Sequence, residues 1–426
     1  MNIKKIVDNK LNARILSSDE ILFVVDNYTK GKINDNDMTS FLKAVCANGM
    51  NDDETINLTN AMLSSGSTLD LNSVSGVKAD KHSTGGVGDK TTLIVGAIVA
   101  STGINVAKMS GRALGFTGGT IDKLESIPGF RVNLSKDEFI EQLKKIQIAL
   151  TSQTDDLVKA DKKMYALRDI TNTVSSIPLI ASSIMSKKLA TGADVIVLDV
   201  KVGDGALVTS IEEARDLSKL MIKIGKSFNK KMVAIISSMN EPLGYNIGNS
   251  LEIEEVMDVL KGEGETNLEL LCKELAVYMV ILARDITYAE AIVDVEEALN
   301  SGSAYHKFLE LIKAQGGDIT SIPKSKYKTV ITSSENGYVK DVNAKMLGEY
   351  VMSLGAGRKT KEDVIDYSVG IKILKKIGDK VSIGDRLLEI SSNTTVSDIS
   401  MLKGFLLLDS DPRPKENIII EIIRER

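Results

Sequence analysis

The sequence of 426 residues contains few of the residues that build disulfide frameworks or histidine-rich metal centres. Its two cysteines, Cys46 and Cys272, lie far apart and form no CxxC pair, which argues against both a disulfide scaffold and a zinc cluster. Its two histidines, His82 and His306, give little support to a site with several histidine ligands. This cysteine usage favours the reducing environment of the cytoplasm.

Proline, long apolar runs and excess positive charge are also scarce. Six prolines and no biased tract indicate a folded chain, and the length predicts two to four domains. The most apolar window, Leu93 to Ala100, is too short to span a bilayer, and the polar N-terminus lacks the apolar run of a signal peptide. The formal net charge of −5 argues against a protein that binds nucleic acid or a membrane surface.

Hydrophobic spacing predicts helices over residues 1 to about 65 and an α/β pattern from about 75. The strand-like VKADKH, the loop STGGVGD, the helical KTTLIVGAIVASTG and the strand-like NVAKMSG together indicate a βαβ unit with a parallel sheet. A second helical block covers about 155–192. Two further strands follow, ADVIVLDVKVGDGA and KMVAIISSMNEPLG, joined by the crossover helix SIEEARDLSKLMIKIGKSF.

These patterns predict a multidomain α and α/β protein in four parts. They are a discontinuous helical domain at 1–68 plus 158–192, an α/β domain with a central mostly parallel sheet at 69–157 plus 193–300, a helix and linker at 301–329, and a β-rich α+β domain at 330–426. In the last domain GDKVSIGDRLLEI resembles the turn of biotin or lipoyl carriers, but no attachment lysine follows it. We therefore interpret that domain as a packing domain.

Two glycine-rich loops follow predicted strands, and both are candidates for an anion site. The first, KHSTGGVGD, spans residues 81–89, where glycines let the backbone approach an anion and Lys81 and Ser83 add a charge and a hydroxyl. It matches neither the Walker nor the dinucleotide spacing, so it is either a small-oxyanion site or only a tight turn. The second, SGRALGFTGGT, spans residues 110–120 and offers the hydroxyls of Ser110 and Thr120.

Four polar or charged positions complete the candidate site, and two carboxylates lie next to it. Ile180, Ser183 and Lys187 share one face of a predicted helix, either as a domain rim or, with Arg168, as a binder for the carbonyl and imide edge of a flat heterocycle. His82 is the histidine near the loops, so we predict a functional role for it. His306 lies on a distant amphipathic helix and is interpreted as structural. Asp122 and Glu125 are predicted to cap the helix that follows the second loop.

Long motifs make the chain resemble the thymidine/pyrimidine-nucleoside phosphorylase family over essentially its whole length. They are KADKHSTGGVGDKTT, SGRALGFTGGTIDKLESIPGF, ADKKMYALRDITNTVSSIPLIASSIMSKK and DVIVLDVKVGDGA. The resemblance implies reversible phosphorolysis of pyrimidine nucleosides to free base and (deoxy)ribose 1-phosphate, in an interdomain cleft that closes on binding. It implies inorganic phosphate as co-substrate, no organic cofactor, no covalent enzyme intermediate and a homodimer formed through the helical domain.

The resemblance also assigns site residues by motif. Phosphate would be held by Lys81, Ser83, Thr92, Ser110 and Thr120. The base pocket would be lined by Tyr165, Arg168, Ile180, Ser183 and Lys187. His82 would lie near the 2-carbonyl of the base and assist its departure, with Arg168 and Lys187 as the other catalytic residues.

Three positions depart from the family pattern. Phe116 stands where many relatives have histidine, which removes any proton-transfer role there and predicts an altered sugar or base pocket. Asp204 stands where relatives have small or uncharged residues. The third departure concerns a monovalent cation, potassium, that some bacterial relatives bind at positions matching Gly88, Lys90, Leu243, Asn246 and Glu255. A lysine ammonium at position 90 can fold back and replace the ion, so we expect weaker dependence on potassium.

Substrate choice is the least determined feature. Lys108 and the wording IPLIASSIMSKK resemble the broad-specificity bacterial enzymes, so we expect thymidine, deoxyuridine and uridine all to be accepted, with a thymidine-restricted enzyme as the alternative. An anthranilate-type phosphoribosyltransferase shares the architecture, but it needs Mg²⁺ and carboxylates near a diphosphate, which the set of Arg168, Ser183 and Lys187 does not suit. A non-enzymatic carrier or scaffold is suggested only by the carrier-like turn.

Overall fold

The computed structural model describes residues 1–112, 115–153, 156–358 and 363–424. Within those ranges the helices are α1 Ile3–Leu11, α2 Ser18–Thr29, α3 Asp35–Asn48, α4 Asp52–Leu63, α5 Thr91–Ser101, α6 Thr120–Glu125, α7 Lys136–Ile146, α8 Lys159–Ile170, α9 Ile177–Ala190, α10 Ile211–Ser227, α11 Asn249–Leu260, α12 Thr266–Arg284, α13 Tyr288–Asn300, α14 Ser303–Ala314 and α15 Ala344–Val351. The strands are β1 Lys78–Ser83, β2 Asn105–Ser110, β3 Ile148–Ser152, β4 Val195–Val202, β5 Lys231–Ser238, β6 Asn246–Ile247, β7 Tyr327–Thr332, β8 Gly337–Val342, β9 Gly370–Ile373, β10 Lys380–Val381, β11 Arg386–Ser392, β12 Leu406–Asp409 and β13 Ile419–Arg424. None of the described helices has the length and apolar character needed to cross a bilayer.

A six-stranded sheet organises the middle of the chain, in the order β13-β5-β4-β1-β2-β3. All neighbours are parallel except β13 and β5, which run antiparallel. Alternate residues of β4 pack into different cores: Val195 and Val197 face α5 and α12, while Ile196 and Leu198 face α9 and α10. A parallel sheet covered on both faces produces the continuous apolar runs seen in the sequence. It also brings the carboxyl ends of β1, β2 and β3 to one edge.

The helices that precede the sheet are well capped and share a core. Ser17 with Glu20 and Asn51 with Glu54 form capping boxes that begin α2 and α4. Their apolar stripes meet α8 in a core that includes Phe41. Helix α9 is shared between two layers, because it packs both on α4 and on α10, which covers the sheet. The predicted helical domain of 1–68 plus 158–192 therefore has no sharp boundary at α9.

The C-terminal part consists of two small antiparallel sheets, with strand orders β10-β8-β12 and β6-β9-β11-β7. Helix α15 packs with them around a core that includes Val339, Ile371 and Ile390. The predicted combination of helical, parallel α/β and β-rich parts is thus confirmed at the level of fold class.

Three segments lie elsewhere than the pattern predicted. Strand β13 belongs to the central sheet and covers the edge of β5, although it falls within the predicted C-terminal domain of 330–426. Strand β6 falls within the predicted α/β domain of 69–157 plus 193–300, but it pairs with β9 of the C-terminal sheet. Strand β7 begins at Tyr327, inside the predicted linker of 301–329, and pairs with β11. Each misplacement concerns a strand whose partner is distant in the sequence.

Candidate active site

A cavity of about 400 Å³ lies where the carboxyl ends of β1 and β2 face α8 and α9. Its walls come from both glycine-rich loops, the two helices and the turn after β4. The lining residues are His82, Ser83, Thr84, Gly85, Asp89, Thr92, Lys108, Met109, Ser110, Gly111, Arg112, Phe116, Thr117, Gly118, Gly119, Thr120, Gln153, Tyr165, Lys187, Lys188, Ala206 and Leu207. Seven of the predicted site residues are among them.

One wall carries hydroxyl groups and the start of a long helix. Of the predicted phosphate ligands, Ser83, Thr92, Ser110 and Thr120 line the cavity. Helix α5 begins beside them, and its first N–H groups and its dipole favour a bound anion. This wall therefore has the donors that an oxyanion requires.

The fifth predicted phosphate ligand, Lys81, lies below this wall rather than on it. Its ammonium is 2.8 Å from Asp199 and also contacts Thr91, and the residue is buried. Lys81 and His82 are neighbours on a strand, so their side chains point to opposite faces, and His82 is the one that reaches the cavity. Lys81 thus adds positive charge beneath the wall without direct access to the cavity.

Asp89, which the sequence analysis did not single out, organises the first loop. It accepts hydrogen bonds from Ser83 and from the backbone N–H of Thr91. Burial raises the pKa of this carboxyl, but Lys81 and Lys201 outweigh burial and hold the pKa well below its usual range. Asp89 is therefore ionised, and its position directly after the glycine run is the signal that would have identified it.

His82 lies in the cavity as a neutral imidazole. Burial lowers its pKa well below the usual value of 6.5, and Lys188, Lys108 and nearby lysines lower it further. Its Nε2 atom is buried and has no hydrogen-bond partner among the described residues. A buried nitrogen of this kind needs a partner, and a ligand in the cavity can supply it.

Two lysines share one buried carboxylate at the floor of the cavity. Asp80 lies 3.2 Å from the Lys108 ammonium and 2.8 Å from that of Lys188. Burial lowers the pKa of Lys108 to about 7 despite Asp80, and the neighbouring Lys188 adds to the lowering. Lys188 was not predicted; the lysine doublet at 187–188 is its only sequence signal.

On the helical wall, Lys187 and Tyr165 face the cavity. The Lys187 ammonium donates to Asp161 at 2.5 Å and to Ser183 at 2.8 Å, and it lies 5.7 Å from the centre of the Tyr165 ring. Ser183 thus reaches the site through Lys187, one turn away on the same helix face, as the spacing predicted. The half-buried Ile180 is not part of the lining.

Arg168 lies behind this wall. Its guanidinium donates to the backbone carbonyls of Thr173, Val174 and Leu179 at 3.0–3.1 Å, and only 1% of the residue is exposed. These bonds hold the segment that leads into α9. The arginine predicted to contact a ligand therefore holds the backbone of the helical wall in this structure.

The second loop is tied to the C-terminal part of the chain. Asp122 lies in the first turn of α6, where its charge favours the helix dipole as predicted, whereas the capping prediction is wrong for Glu125. Asp122 accepts from Arg358 at 2.8 Å, and Glu125 pairs with Arg112. Gly119 begins α6 without a side-chain cap, and Glu125 is its last residue. Arg112 belongs to the second loop itself, whereas Arg358 is 236 residues from Asp122, so no local pattern indicated the Arg358 contact.

Phe116 adds an apolar contact between the second loop and α15. A Cβ atom on Gly348 of α15 would lie 3.0 Å from the Phe116 ring, so the glycine allows a close approach. Asp204 lies exposed in the turn after β4, and nothing in the structure explains its presence. His306 contacts the carbonyl of Gly302 at the start of its own helix and is not part of the cavity.

The positions expected to bind a monovalent cation surround a lysine side chain instead. The Lys90 ammonium lies 2.9 Å from the Leu243 carbonyl, 3.0 Å from the Asn246 carbonyl and 2.6 Å from Glu255. The Lys90 carbonyl accepts the backbone N–H of Leu93 in the first turn of α5. The predicted ligand set therefore does not fit a separate ion in this chain.

Family comparisons agree with this architecture part by part. Residues 3–66 match the helical bundle domain of a glycosyl transferase family, residues 75–305 match the a/b domain of that family, and residues 338–403 match the pyrimidine nucleoside phosphorylase C-terminal domain. The central match alone covers more than half of the chain.

Similar curated proteins extend over nearly the whole chain. A pyrimidine-nucleoside phosphorylase from Geobacillus stearothermophilus is 50% identical over 400 residues, with 92% of each chain covered. One from Bacillus subtilis is 48% identical over 400 residues, also with 92% of each chain covered, and one from Staphylococcus aureus is 49% identical over the full length of both. The structure of anthranilate phosphoribosyltransferase from Thermus thermophilus aligns with 72% of this chain and 98% of its own, with a TM-score of 0.59. At 18% identity it shows a shared fold only.

Proposed function

The chain belongs to the pyrimidine-nucleoside phosphorylase family, and we propose that it catalyses the reversible phosphorolysis of pyrimidine nucleosides, a pentosyl transfer to phosphate. The observation that carries the proposal is one cavity with two unlike walls. Hydroxyls and the N-terminus of α5 form the first, and Lys187 and Tyr165 of the helical part form the second, with His82 of β1 also lining the cavity. A nucleoside and a phosphate need these two environments at the same time.

Inorganic phosphate binds at the first wall. The hydroxyls of Thr92, Ser110 and Thr120 donate to its oxygens beside the positive end of the α5 dipole, and the Ser83 hydroxyl joins them when it leaves Asp89. Lys81 contributes charge from below, since its ammonium is held by Asp199. No organic cofactor takes part.

The pyrimidine binds at the second wall, against the Tyr165 ring and the Lys187 ammonium. Asp161 and Ser183 hold the Lys187 ammonium in place, so it is preorganised to donate a hydrogen bond to a base carbonyl. A direct contact from Arg168 to the base requires the guanidinium to leave one of its three backbone carbonyls when the cleft closes.

The reaction moves an electron pair from the glycosidic bond into the base. A phosphate oxygen attacks C1′ as the bond from C1′ to N1 breaks, and the departing base gathers negative charge on its carbonyl oxygens. Neutral His82 donates a hydrogen bond from Nε2 to the 2-carbonyl, and Lys187 stabilises the anion electrostatically. Closure of the cleft aligns the reactants and excludes water from the oxocarbenium-like centre.

The same proposal includes substrate breadth and assembly. Thymidine, deoxyuridine and uridine are all accepted, in a cavity whose floor includes Lys108. A homodimer forms through the helical part, whose exposed Leu11, Ile15 and Leu22 supply apolar surface near α1 and α2.

Base release from thymidine, deoxyuridine and uridine, followed by ultraviolet absorbance with and without phosphate, tests the proposal. We expect turnover of all three only when phosphate is present. Turnover of thymidine alone would replace the broad-specificity proposal with the thymidine-restricted one. Absence of phosphate-dependent release from every nucleoside would refute the proposed activity.

A further inference from the structure

The Lys90 side chain ends in a small cage made of oxygen atoms. The carbonyls of Leu243 and Asn246 and the carboxylate of Glu255 lie 2.6–3.0 Å from its ammonium, and only 1% of the residue is exposed. An ammonium group has three N–H donors, and each has one acceptor here. The ammonium thus replaces its lost hydration shell completely with protein oxygens.

Backbone groups help to hold the oxygen atoms of the cage in place, so their positions do not depend on the lysine alone. Glu255 also accepts the backbone N–H groups of Tyr245 and Asn246, at 2.5 and 2.9 Å. A Cβ atom at Gly88 would lie 2.6 Å from the Leu243 carbonyl, and the φ angle of Gly88 is +75°, so only glycine lets the first loop pass this close. Two carbonyls and a carboxylate in fixed positions suit a hard cation.

We propose that the Lys90 ammonium is a covalently attached substitute for a bound monovalent cation, so that this enzyme requires no potassium. The part of this proposal that concerns activity rests on the proposed phosphorolysis, whereas the part that concerns stability does not. Lys90 neutralises Glu255, whose burial without a partner is strongly unfavourable. Because the cation is part of the chain, no binding equilibrium empties the cage.

Lys90 also acts as a positioning residue for phosphate. It directly precedes α5, whose first turn carries Thr92 on the phosphate wall. The oxygens that hold it come from the segment before β6, from β6 itself, which pairs with the C-terminal sheet, and from α11. The cage therefore fixes the start of α5 against a distant part of the chain.

The wild-type protein gives the first test. Its thermal unfolding midpoint and its kinetic constants are measured in tetramethylammonium buffer free of potassium, sodium and ammonium, then with potassium chloride at constant ionic strength. We expect both to remain unchanged. A loss of activity or a lower midpoint in the absence of potassium, restored by potassium, would overturn the proposal.

Two variants at position 90 give the second test. Lys90→Ala empties the cage, and we expect the midpoint to fall by roughly 5 °C or more and the KM for phosphate to rise roughly tenfold, with kcat less affected. Potassium chloride then restores much of both losses, because the ion occupies the vacated oxygens. Lys90→Met fills the same space without charge, so it loses stability and potassium does not restore it.

Lys10→Ala is the matched control, since Lys10 is also buried and paired with a glutamate, Glu54, but lies in the helical part outside the cavity. Its midpoint falls without any specific response to potassium. A Lys90→Ala protein that responds to potassium no more than Lys10→Ala would overturn the proposal. The midpoints need no turnover, so failure of phosphorolysis and failure of the cation proposal are distinguishable.

Discussion

At the scale of single residues, the site depends on side chains whose neighbours fix their charge. His82 is neutral because it is buried among lysines, and Asp89 is ionised because lysines outweigh its burial. The sequence identified His82 as the histidine near the loops but not its protonation state. That protonation state depends on Lys188 of α9 and Lys108 of β2, which are far from His82 in the sequence.

His82 makes the stability of the protein depend on pH. Its pKa is lowered on folding, so below about 6.5 the unfolded chain binds a proton that the folded chain does not, and the protein loses stability as pH falls. We expect the free energy of unfolding attributable to His82 to drop, by on the order of 1 kcal/mol, between pH 7.5 and 5.5. Urea unfolding of wild type and His82→Gln across this range measures the difference.

His306→Gln is the control for that experiment, since His306 is exposed on α14, outside the cavity. The stability of His82→Gln should fall less steeply than that of wild type as the solution is acidified. If the stability of wild type and of His82→Gln falls equally steeply with decreasing pH, the neutral state of His82 is contradicted.

Lys108 makes anion binding depend on pH in the neutral range. Its pKa of about 7 means that the cavity floor loses a positive charge as pH rises through 7. We expect the inhibition constant of sulfate, whose own charge is constant there, to rise severalfold between pH 6 and 8.5. In Lys108→Met sulfate binding should be weaker and independent of pH, and an unchanged pH dependence in that variant would assign it to another group.

At the scale of elements, the spacing of apolar, polar and glycine residues correctly predicted the helices and strands that depend on neighbours close in the sequence. The βαβ unit formed by β1, α5 and β2 follows from apolar runs interrupted by a glycine loop. The face of α9 that holds Ser183 and Lys187 follows from helical spacing. Strand alternation also implies that His82 and Lys81 point to opposite faces, but the sequence analysis assigned both to the site because both lie at the first glycine-rich loop.

Contacts between distant segments were not predictable in this way. The exchange of β13 and β6 between sheets and the contact of Arg358 with Asp122 both require the tertiary fold. A strand sequence specifies its pleat and its apolar face, but it does not specify which sheet edge it joins.

Strand β13 should stabilise the central sheet more than its position at the end of the described chain suggests. It covers the edge of β5, and Arg424 and Glu421 contact Tyr278 and Arg215. Deleting residues 418–426 exposes the β5 edge, so we expect a lower unfolding midpoint and aggregation. Thermal unfolding with light scattering measures both.

Deletion of residues 425–426 alone, which lie outside the described residues, is the control for this truncation. It should leave both measurements unchanged. A protein lacking residues 418–426 that unfolds and remains dispersed like wild type would show that β5 tolerates an open edge.

At the scale of the whole molecule, the proposed mechanism requires the two walls of the cavity to approach each other. We expect small-angle X-ray scattering to give a smaller radius of gyration with a nucleoside and sulfate together than with either alone, because only both ligands bridge the walls. Identical radii of gyration for the free protein, the two singly liganded states and the doubly liganded state would show that the walls are already at their working distance.

The salt bridge between Lys188 and Asp80 determines how such a movement is distributed. It joins α9 to β1 at the cavity floor, where both groups are buried and separating them would be costly. A tilt of the helical wall about this point displaces atoms in proportion to their distance from it, as along a lever. In such a tilt the floor would stay nearly stationary and the far rim of the helical wall would travel furthest. If the walls close as proposed, we expect substrate entry and product release to be governed at the rim, while Asp80 and Lys188 keep their spacing at the floor.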